Sequence, residues 1–196
     1  MRVFLATPAD PEWVESARRL VERLRPGSPP ASWTRPESWH LTLKFLGEVS
    51  AETAERFARG LDAAIARARG GALPTAGALL LPGRGRPRVL GLGFSAEASA
   101  AAQLSAIAAE AEEVSRRLGA PAVDRAFRPH VTLCRLRSPW PRDAVERYAR
   151  EADAWAFPDW PVRSCVLYES RLSPSGARHT PLADWTLAPE GAAVGA

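Results

Sequence analysis

The sequence predicts an α+β protein in which antiparallel strands pair beside amphipathic helices. Short apolar runs alternate with segments of helical periodicity. Several predicted strands follow one another without an intervening helix, which favours antiparallel pairing over a doubly wound parallel sheet. With 196 residues, 46% of them hydrophobic, the chain is long enough to bury a core without a disulfide or metal. We find no linker that would divide it into independent domains.

The predicted elements come from two kinds of apolar pattern. Continuous apolar runs bounded by Pro or Gly predict strands over 2–6, 39–46, 76–81, 88–94, 130–136, 162–169 and 184–188. Apolar residues three and four positions apart predict helices over 10–25, 51–69, 96–118 and 141–150. Asp10 is a candidate N-cap of the first helix. Two stretches rich in Pro, Ser and Gly, 26–38 and 173–181, are predicted loops.

Composition excludes several classes of protein. No apolar run reaches the ~20 residues of a membrane span, and the apolar N-terminus ends too early for a signal peptide. Cys134 and Cys165 are too few for a disulfide framework, which favours a reducing, cytoplasmic setting. The net charge is +4, and Lys44 is the single lysine among 26 basic residues. Arginine binds phosphate through a planar fork, so this balance permits an anionic partner without showing one.

Two of the three histidines occupy the same tetrapeptide frame, each at the start of a predicted strand. The motifs are His40-Leu41-Thr42-Leu43 and His130-Val131-Thr132-Leu133. Three histidines and eight threonines give about 0.1 His-x-Thr sequences by chance. Two copies in matched contexts therefore indicate an internal repeat, with one copy in each half of the chain.

The spacing of the motif has a chemical interpretation. Alternation along a strand puts each His and the Thr two residues later on one face, with the apolar residues facing the core. Two such strands around one cleft supply two imidazoles with pKa values of about 6.5 as general base and general acid. The hydroxyls donate to phosphate oxygens. This pattern predicts phosphodiester cleavage without metal. A metal site at His40 and His130 is the other interpretation, but no HxxxH, HxE or CxxC spacing adds ligands.

Longer blocks around both motifs resemble the two-histidine (2H) phosphoesterase superfamily. Within it the chain is most similar to the RNA 2′,3′-cyclic phosphodiesterases, the LigT-like enzymes once described as 2′-5′ RNA ligases. The matching stretches are 1–6, 39–47, 127–135 and 167–172, with Gly176. The resemblance implies a bilobal α+β sandwich of two pseudo-symmetric lobes, each an antiparallel sheet with outer helices, around an active-site cleft. This single domain would cover 1–188, followed by a flexible tail, 189–196.

The resemblance also implies roles for the motif residues. His40 and His130 would be catalytic, and Thr42 and Thr132 would bind the phosphate. In the resembling enzymes one histidine activates water and the other protonates the leaving O3′, so that a 2′-phosphate remains. We take His130 as the base and His40 as the acid, although sequence does not order two symmetric imidazoles.

Three further residues are candidates for substrate binding, of which Phe45 and Arg135 match positions that resemble nucleotide-binding positions of the family. Phe45 and Arg135 each follow their histidine by five residues, and strict alternation puts them on the opposite face, where Phe45 would pack in the core. They reach the cleft only if the strand ends, bulges or twists there. Arg128 shares the face of His130 unless Pro129 interrupts the strand.

The sequence therefore predicts a monomeric hydrolase that needs no metal, cofactor or membrane and opens 2′,3′-cyclic phosphates at RNA ends. Reverse 2′-5′ ligation is an implied side activity. Two alternatives stay open: an RNA- or tRNA-binding module with a vestigial histidine pair, and a phosphodiesterase for cyclic phosphates on small nucleotides. The third histidine, His179, lies in a predicted loop, and we interpret it as structural or peripheral.

Overall fold

The computed structural model describes residues 1–120, 127–173 and 176–191. The strands in these ranges are β1 (Arg2–Pro8), β2 (Ala31–Trp33), β3 (His40–Glu48), β4 (Gly71–Leu73), β5 (Thr75–Leu81), β6 (Val89–Phe94), β7 (His130–Leu136), β8 (Trp160–Val162), β9 (Ser164–Ser173) and β10 (Gly176–Thr186). The helices are α1 (Pro11–Leu24), α2 (Ala51–Arg67), α3 (Ser99–Arg117) and α4 (Arg142–Asp153), with a 3-10 helix at Pro36–Ser38. Most of the predicted tail, 192–196, lies outside the described residues.

Two four-stranded antiparallel sheets form the body of the protein. The first has the strand order β10-β9-β1-β3 and the second β2-β7-β6-β5, while β4 and β8 pair separately. One histidine motif begins β3 and the other begins β7, so each sheet carries one copy. Because β3 and β7 contact each other, the two motif strands lie side by side. The predicted α+β class with antiparallel sheets is confirmed.

The two sheets do not correspond to the two halves of the chain. Strands β9 and β10 return from the C-terminal part to extend the first sheet beside β1. Strand β2, from the N-terminal part, completes the second sheet by antiparallel pairing with β7. The repeat in the sequence is therefore a repeat of two motif strands only, because the strands paired with β3 and β7, namely β1, β2 and β6, all come from the first half of the chain.

Two predicted loops are partly strands. Residues 26–38 contain β2 and the 3-10 helix, and most of 173–181 belongs to β10. Proline does not prevent a strand in the second stretch. Pro181 lies beside an irregularity in the pairing of β10 with β9, where a strand tolerates a missing N–H. As a result, His179 lies on a strand, opposite Ser170 of β9.

The helices pack in two pairs, one against each sheet. Helix α3 contacts α2 and β3, while α4 contacts α1 and β5. Asp10 accepts hydrogen bonds from the N–H groups of Glu12 and Trp13, as expected of the N-cap of α1. None of the helices in the described ranges combines the length and apolarity of a membrane span. The core contains the apolar residues of both motifs: Leu41, Leu43, Val131 and Leu133.

Candidate active site

Each motif histidine is oriented by a carbonyl oxygen two residues before it. The Nδ1 atom of His40 lies 2.8 Å from the Ser38 carbonyl oxygen, and Nδ1 of His130 lies 2.7 Å from that of Arg128. Because a carbonyl oxygen only accepts hydrogen bonds, each Nδ1 carries a hydrogen and donates it. The neutral ring then has its free lone pair on Nε2, which is the atom that exchanges a proton.

The two motif strands present their polar residues in the same way. In β3 and β7 the histidine and the threonine two residues later are half-buried, and the residue between them is buried. Both His-Thr pairs therefore share a face that the core does not cover, as alternation predicts. The contact between β3 and β7 brings the two pairs near each other, and His130 is close enough to influence the pKa of His40.

A β-bulge returns Phe45 to the face of His40. The register between β1 and β3 shifts so that Leu43 has no partner on β1, and Leu43 and Lys44 are both buried. Alternation resumes one residue later, and Phe45 is 58% exposed. Its ring centroid lies 5.9 Å from that of Phe4, which lies 4.7 Å from that of His40. Of the two alternatives for Phe45, the core position is wrong, because strict alternation ignores the extra residue.

Strand β7 has the same irregularity. Its pairing with β6 shifts so that Leu133 has no partner, and Leu133 and Cys134 are both buried. Arg135 is exposed on the face of the histidine as a consequence. Gly91 lies at this shift on β6, and a Cβ there would sit 2.3 Å from the Val131 carbonyl oxygen. The close approach of the two backbones thus requires glycine.

Arg128 lies just outside β7, which begins two residues later. Its side chain is exposed, and its carbonyl oxygen is the acceptor for Nδ1 of His130. The strand therefore begins after Pro129, and the alternative in which Pro129 interrupts the strand before Arg128 is the one observed. The structure assigns a role to the backbone of Arg128 and leaves its guanidinium free to face the solvent near the cleft.

Comparison with known proteins agrees with this arrangement. The family described as LigT like Phosphoesterase matches residues 8–90 and 95–179, which is most of the chain. The chain belongs to the LigT-like phosphoesterase family. The family resemblance inferred from the two histidine blocks is confirmed.

The similar LigT-like proteins include curated enzymes and solved structures. The chain is 34% identical to an RNA 2′,3′-cyclic phosphodiesterase of Thermus thermophilus, with 95% of this chain and 90% of the relative covered. It is 30% identical to one of Archaeoglobus fulgidus, with 90% and 94% covered. The crystal structure of Escherichia coli LigT complexed with NADP+ superimposes with a TM-score of 0.70 at 27% identity, covering 95% of this chain and 97% of that chain.

In this LigT-like protein the first histidine is enclosed by aromatic rings. The ring of His40 lies 4.7 Å from Phe4 and 5.4 Å from His179, measured between centroids. Burial lowers the pKa of His40 to about 4, the hydrogen bond to the Ser38 carbonyl opposes this, and charge on His179 and His130 lowers it slightly further. His40 is therefore neutral at pH 7 in the free protein.

His179 lies beside His40, and its predicted position in a loop is wrong because it belongs to β10. A structural role for His179 stays a prediction. Its ring packs edge-on against Phe4 at 5.0 Å and lies 6.1 Å from Tyr168. Burial lowers its pKa. The two histidine motifs do not include His179, Phe4 or Tyr168, which reach His40 through the pairing of β1, β9 and β10.

Lys44, which lies in the bulge of β3, forms an ion pair with a residue of helix α3. Its Nζ lies 2.6 Å from Oε2 of Glu112, and the two side chains are 6% and 27% exposed. The equivalent position in the second bulge is Cys134, a buried unpaired thiol. In residues 1–120, 127–173 and 176–191, no three His, Cys, Asp or Glu side chains are grouped to hold a metal ion.

Proposed function

We propose that this protein hydrolyses 2′,3′-cyclic phosphates at RNA ends to 2′-phosphates. One observation carries the proposal: each of two adjacent strands presents an imidazole with Nδ1 tied to a carbonyl and Nε2 as the proton-exchanging atom. A binding module has no need for two imidazoles held in the same tautomer. The names of the curated relatives support the same substrate.

The reaction needs one base and one acid at opposite sides of the phosphorus. Nε2 of His130 takes a proton from the attacking water, the bond from phosphorus to O3′ breaks, and Nε2 of His40 gives a proton to O3′. The hydroxyls of Thr42 and Thr132 donate hydrogen bonds to the non-bridging oxygens as negative charge develops there. The product keeps its phosphate on O2′.

The low pKa of His40 sets a condition on this assignment. In the free protein His40 is neutral near pH 7 and has no proton to give. A phosphodiester anion bound beside the ring favours the imidazolium form, so that His40 takes up a proton together with the substrate. The reverse assignment, with His40 as the base, requires no such uptake.

The nucleoside that carries the cyclic phosphate lies along the exposed faces of both strands. Its base stacks on Phe45, which projects from β3 into solvent. The exposed guanidinium groups of Arg128 and Arg135 contribute positive charge from the β7 side of the cleft. In this arrangement the first sheet binds the base and the second sheet supplies charge for the phosphate.

The product of the reaction tests the proposal. An oligonucleotide with a terminal 2′,3′-cyclic phosphate is incubated with the protein in excess chelator, and the product isomer is identified by chromatography. We expect a 2′-phosphate only. A 3′-phosphate would reverse the leaving group, and binding without hydrolysis would support an RNA- or tRNA-binding module instead. Restoration of activity by added metal would contradict the metal-independent mechanism.

Other properties of the protein remain predictions. A monomeric state is tested by light scattering, and a cytoplasmic location agrees with Cys134 and Cys165, which are buried and unpaired. Cyclic phosphates on small nucleotides are the second candidate substrate, since Escherichia coli LigT has been crystallised with 3′-AMP. The choice between RNA ends and mononucleotides depends on what surrounds His40.

A further inference from the structure

A second groove opens beside His40, on the side away from the bulge. Its volume is about 470 Å³, and His40 forms part of its lining while Phe45 does not. One wall is formed by the end of β1 and the first turns of α1, with Pro8 and Val14. The 3-10 helix forms the opposite wall with Pro36.

The groove ends against two rings of the first sheet. Tyr168 of β9 and His179 of β10 line it, and both are half-buried. Each ring offers an apolar face with a polar edge, which is the surface on which a planar heterocycle stacks. The groove is continuous with the cleft because His40 borders both.

Beyond His40 itself, the charge of the lining does not favour a second phosphate as the occupant. Among the lining residues in the described part of the chain, Glu37 has the one side chain with a full charge near neutral pH apart from the histidines, and neither arginine nor lysine is among them. This is notable in a chain with 26 basic residues. A neutral planar ring with apolar faces and N–H donors fits such a lining, because the Glu37 carboxylate accepts from an exocyclic amino group, as carboxylates do from cytosine.

We infer that this groove binds the base of the penultimate nucleotide of an RNA whose terminal base stacks on Phe45. The inference rests on the proposed function. The cyclic phosphate at the two motif histidines occupies O2′ and O3′ of the terminal ribose, so the only chain connection left is through O5′ to the preceding nucleotide. With the terminal base on one side of His40, that nucleotide reaches the groove on the other side. The substrates are therefore oligonucleotides, in preference to mononucleotides.

The first test compares three substrates with the same terminal adenosine. They are adenosine 2′,3′-cyclic phosphate, its 5′-phosphorylated form, and cytidylyl-adenosine 2′,3′-cyclic phosphate. We expect kcat/KM for the dinucleotide to exceed that of the 5′-phosphorylated mononucleotide by about tenfold, as for one stacked base. Equal values for these two substrates would overturn the inference, because the added phosphate alone would then explain any gain.

The second test fills the groove. Val14→Trp should lower kcat/KM for the dinucleotide by about tenfold, the value of one stacked base, and leave both mononucleotides within about twofold. Arg19→Trp, an exposed position on the same helix outside the groove, is the matched control and should change nothing. Equal losses on all substrates in folded Val14→Trp would place the terminal base in the groove and overturn the inference.

A third comparison concerns the base that the groove prefers, and it does not depend on a bulky substitution. Glu37→Gln should lower kcat/KM for the cytidylyl dinucleotide several-fold and spare the uridylyl dinucleotide, which has no exocyclic amino group. An equal effect on both dinucleotides would remove Glu37 from base recognition and contradict this part of the inference. Absence of hydrolysis with every substrate would instead overturn the proposed function itself.

Discussion

Strands β3 and β7 repeat one backbone design with two different surroundings. Both begin with a histidine whose Nδ1 donates to a carbonyl oxygen, and both contain a bulge at the fourth residue. Around His40 the neighbours are rings, among them Phe4 and His179. Near His130 the exposed side chains are those of Arg128 and Arg135. In the proposed mechanism the repeat supplies the proton chemistry, while the surroundings separate base binding from phosphate binding.

The largest expected effect tests whether the two strands are equal partners in the chemistry. His40→Ala and His130→Ala should each lower turnover by about 10²–10⁴, because each removes an acid or a base. Both variants should fold, since both rings are half-buried at the edge of a cleft, and circular dichroism checks this. Near wild-type turnover in either folded variant would show that the repeat is not a catalytic pair.

The next largest effect is expected from a substitution that disrupts the bulge in β7. Gly91→Ala should lower the free energy of unfolding by about 2 kcal/mol or more, because its Cβ would overlap the Val131 carbonyl oxygen. Gly93→Ala is the matched control two residues later on β6, where a Cβ would meet Leu79 at 3.8 Å, an ordinary contact. Denaturant unfolding measures both. Equal stabilities for the two variants would mean that β6 and β7 do not approach as closely as described.

The bulges also show which features of the site local sequence patterns do not predict. The boundaries of β7 and the cap of α1 follow from local patterns, so they could be predicted from the residues alone. The face of Phe45 could not, because a bulge depends on the pairing of β1 with β3. His179 and β2 were missed for the same reason: both are placed by partners far away in sequence. Local periodicity predicts elements, and long-range pairing decides which side chains meet.

The third prediction concerns a substitution that weakens the bulge in β3. Lys44→Met should lower the free energy of unfolding by about 1–2 kcal/mol, less than for a fully buried pair because Glu112 is partly exposed. KM should rise more than kcat falls, since Lys44 holds the bulge that turns Phe45 toward the cleft. A double-mutant cycle with Glu112→Gln measures the coupling energy between the two side chains. Unchanged KM in the folded variant would separate the ion pair from the position of Phe45.

The smallest expected effect is proton uptake on ligand binding, which distinguishes the roles of the two imidazoles. Because burial holds the pKa of His40 at about 4 in the free protein, a bound phosphodiester anion can only raise it, and binding near pH 6 should then take up a fraction of a proton. Affinity for the anion should fall as the pH rises through the pKa of the complex, by at most about tenfold per pH unit. A dinucleoside monophosphate is a suitable ligand, since its phosphodiester does not titrate in this range.

Calorimetry in two buffers of different ionisation enthalpy measures this uptake. His130→Ala keeps His40 and should retain uptake, whereas His40→Ala should lose the part that His40 contributes. That result would support His40 as the acid, protonated only when substrate is present. Equal uptake in wild type and His40→Ala would mean that His40 stays neutral in the complex. The ring enclosed by Phe4 and His179 would then be the base, and the exposed strand β7 would supply the acid.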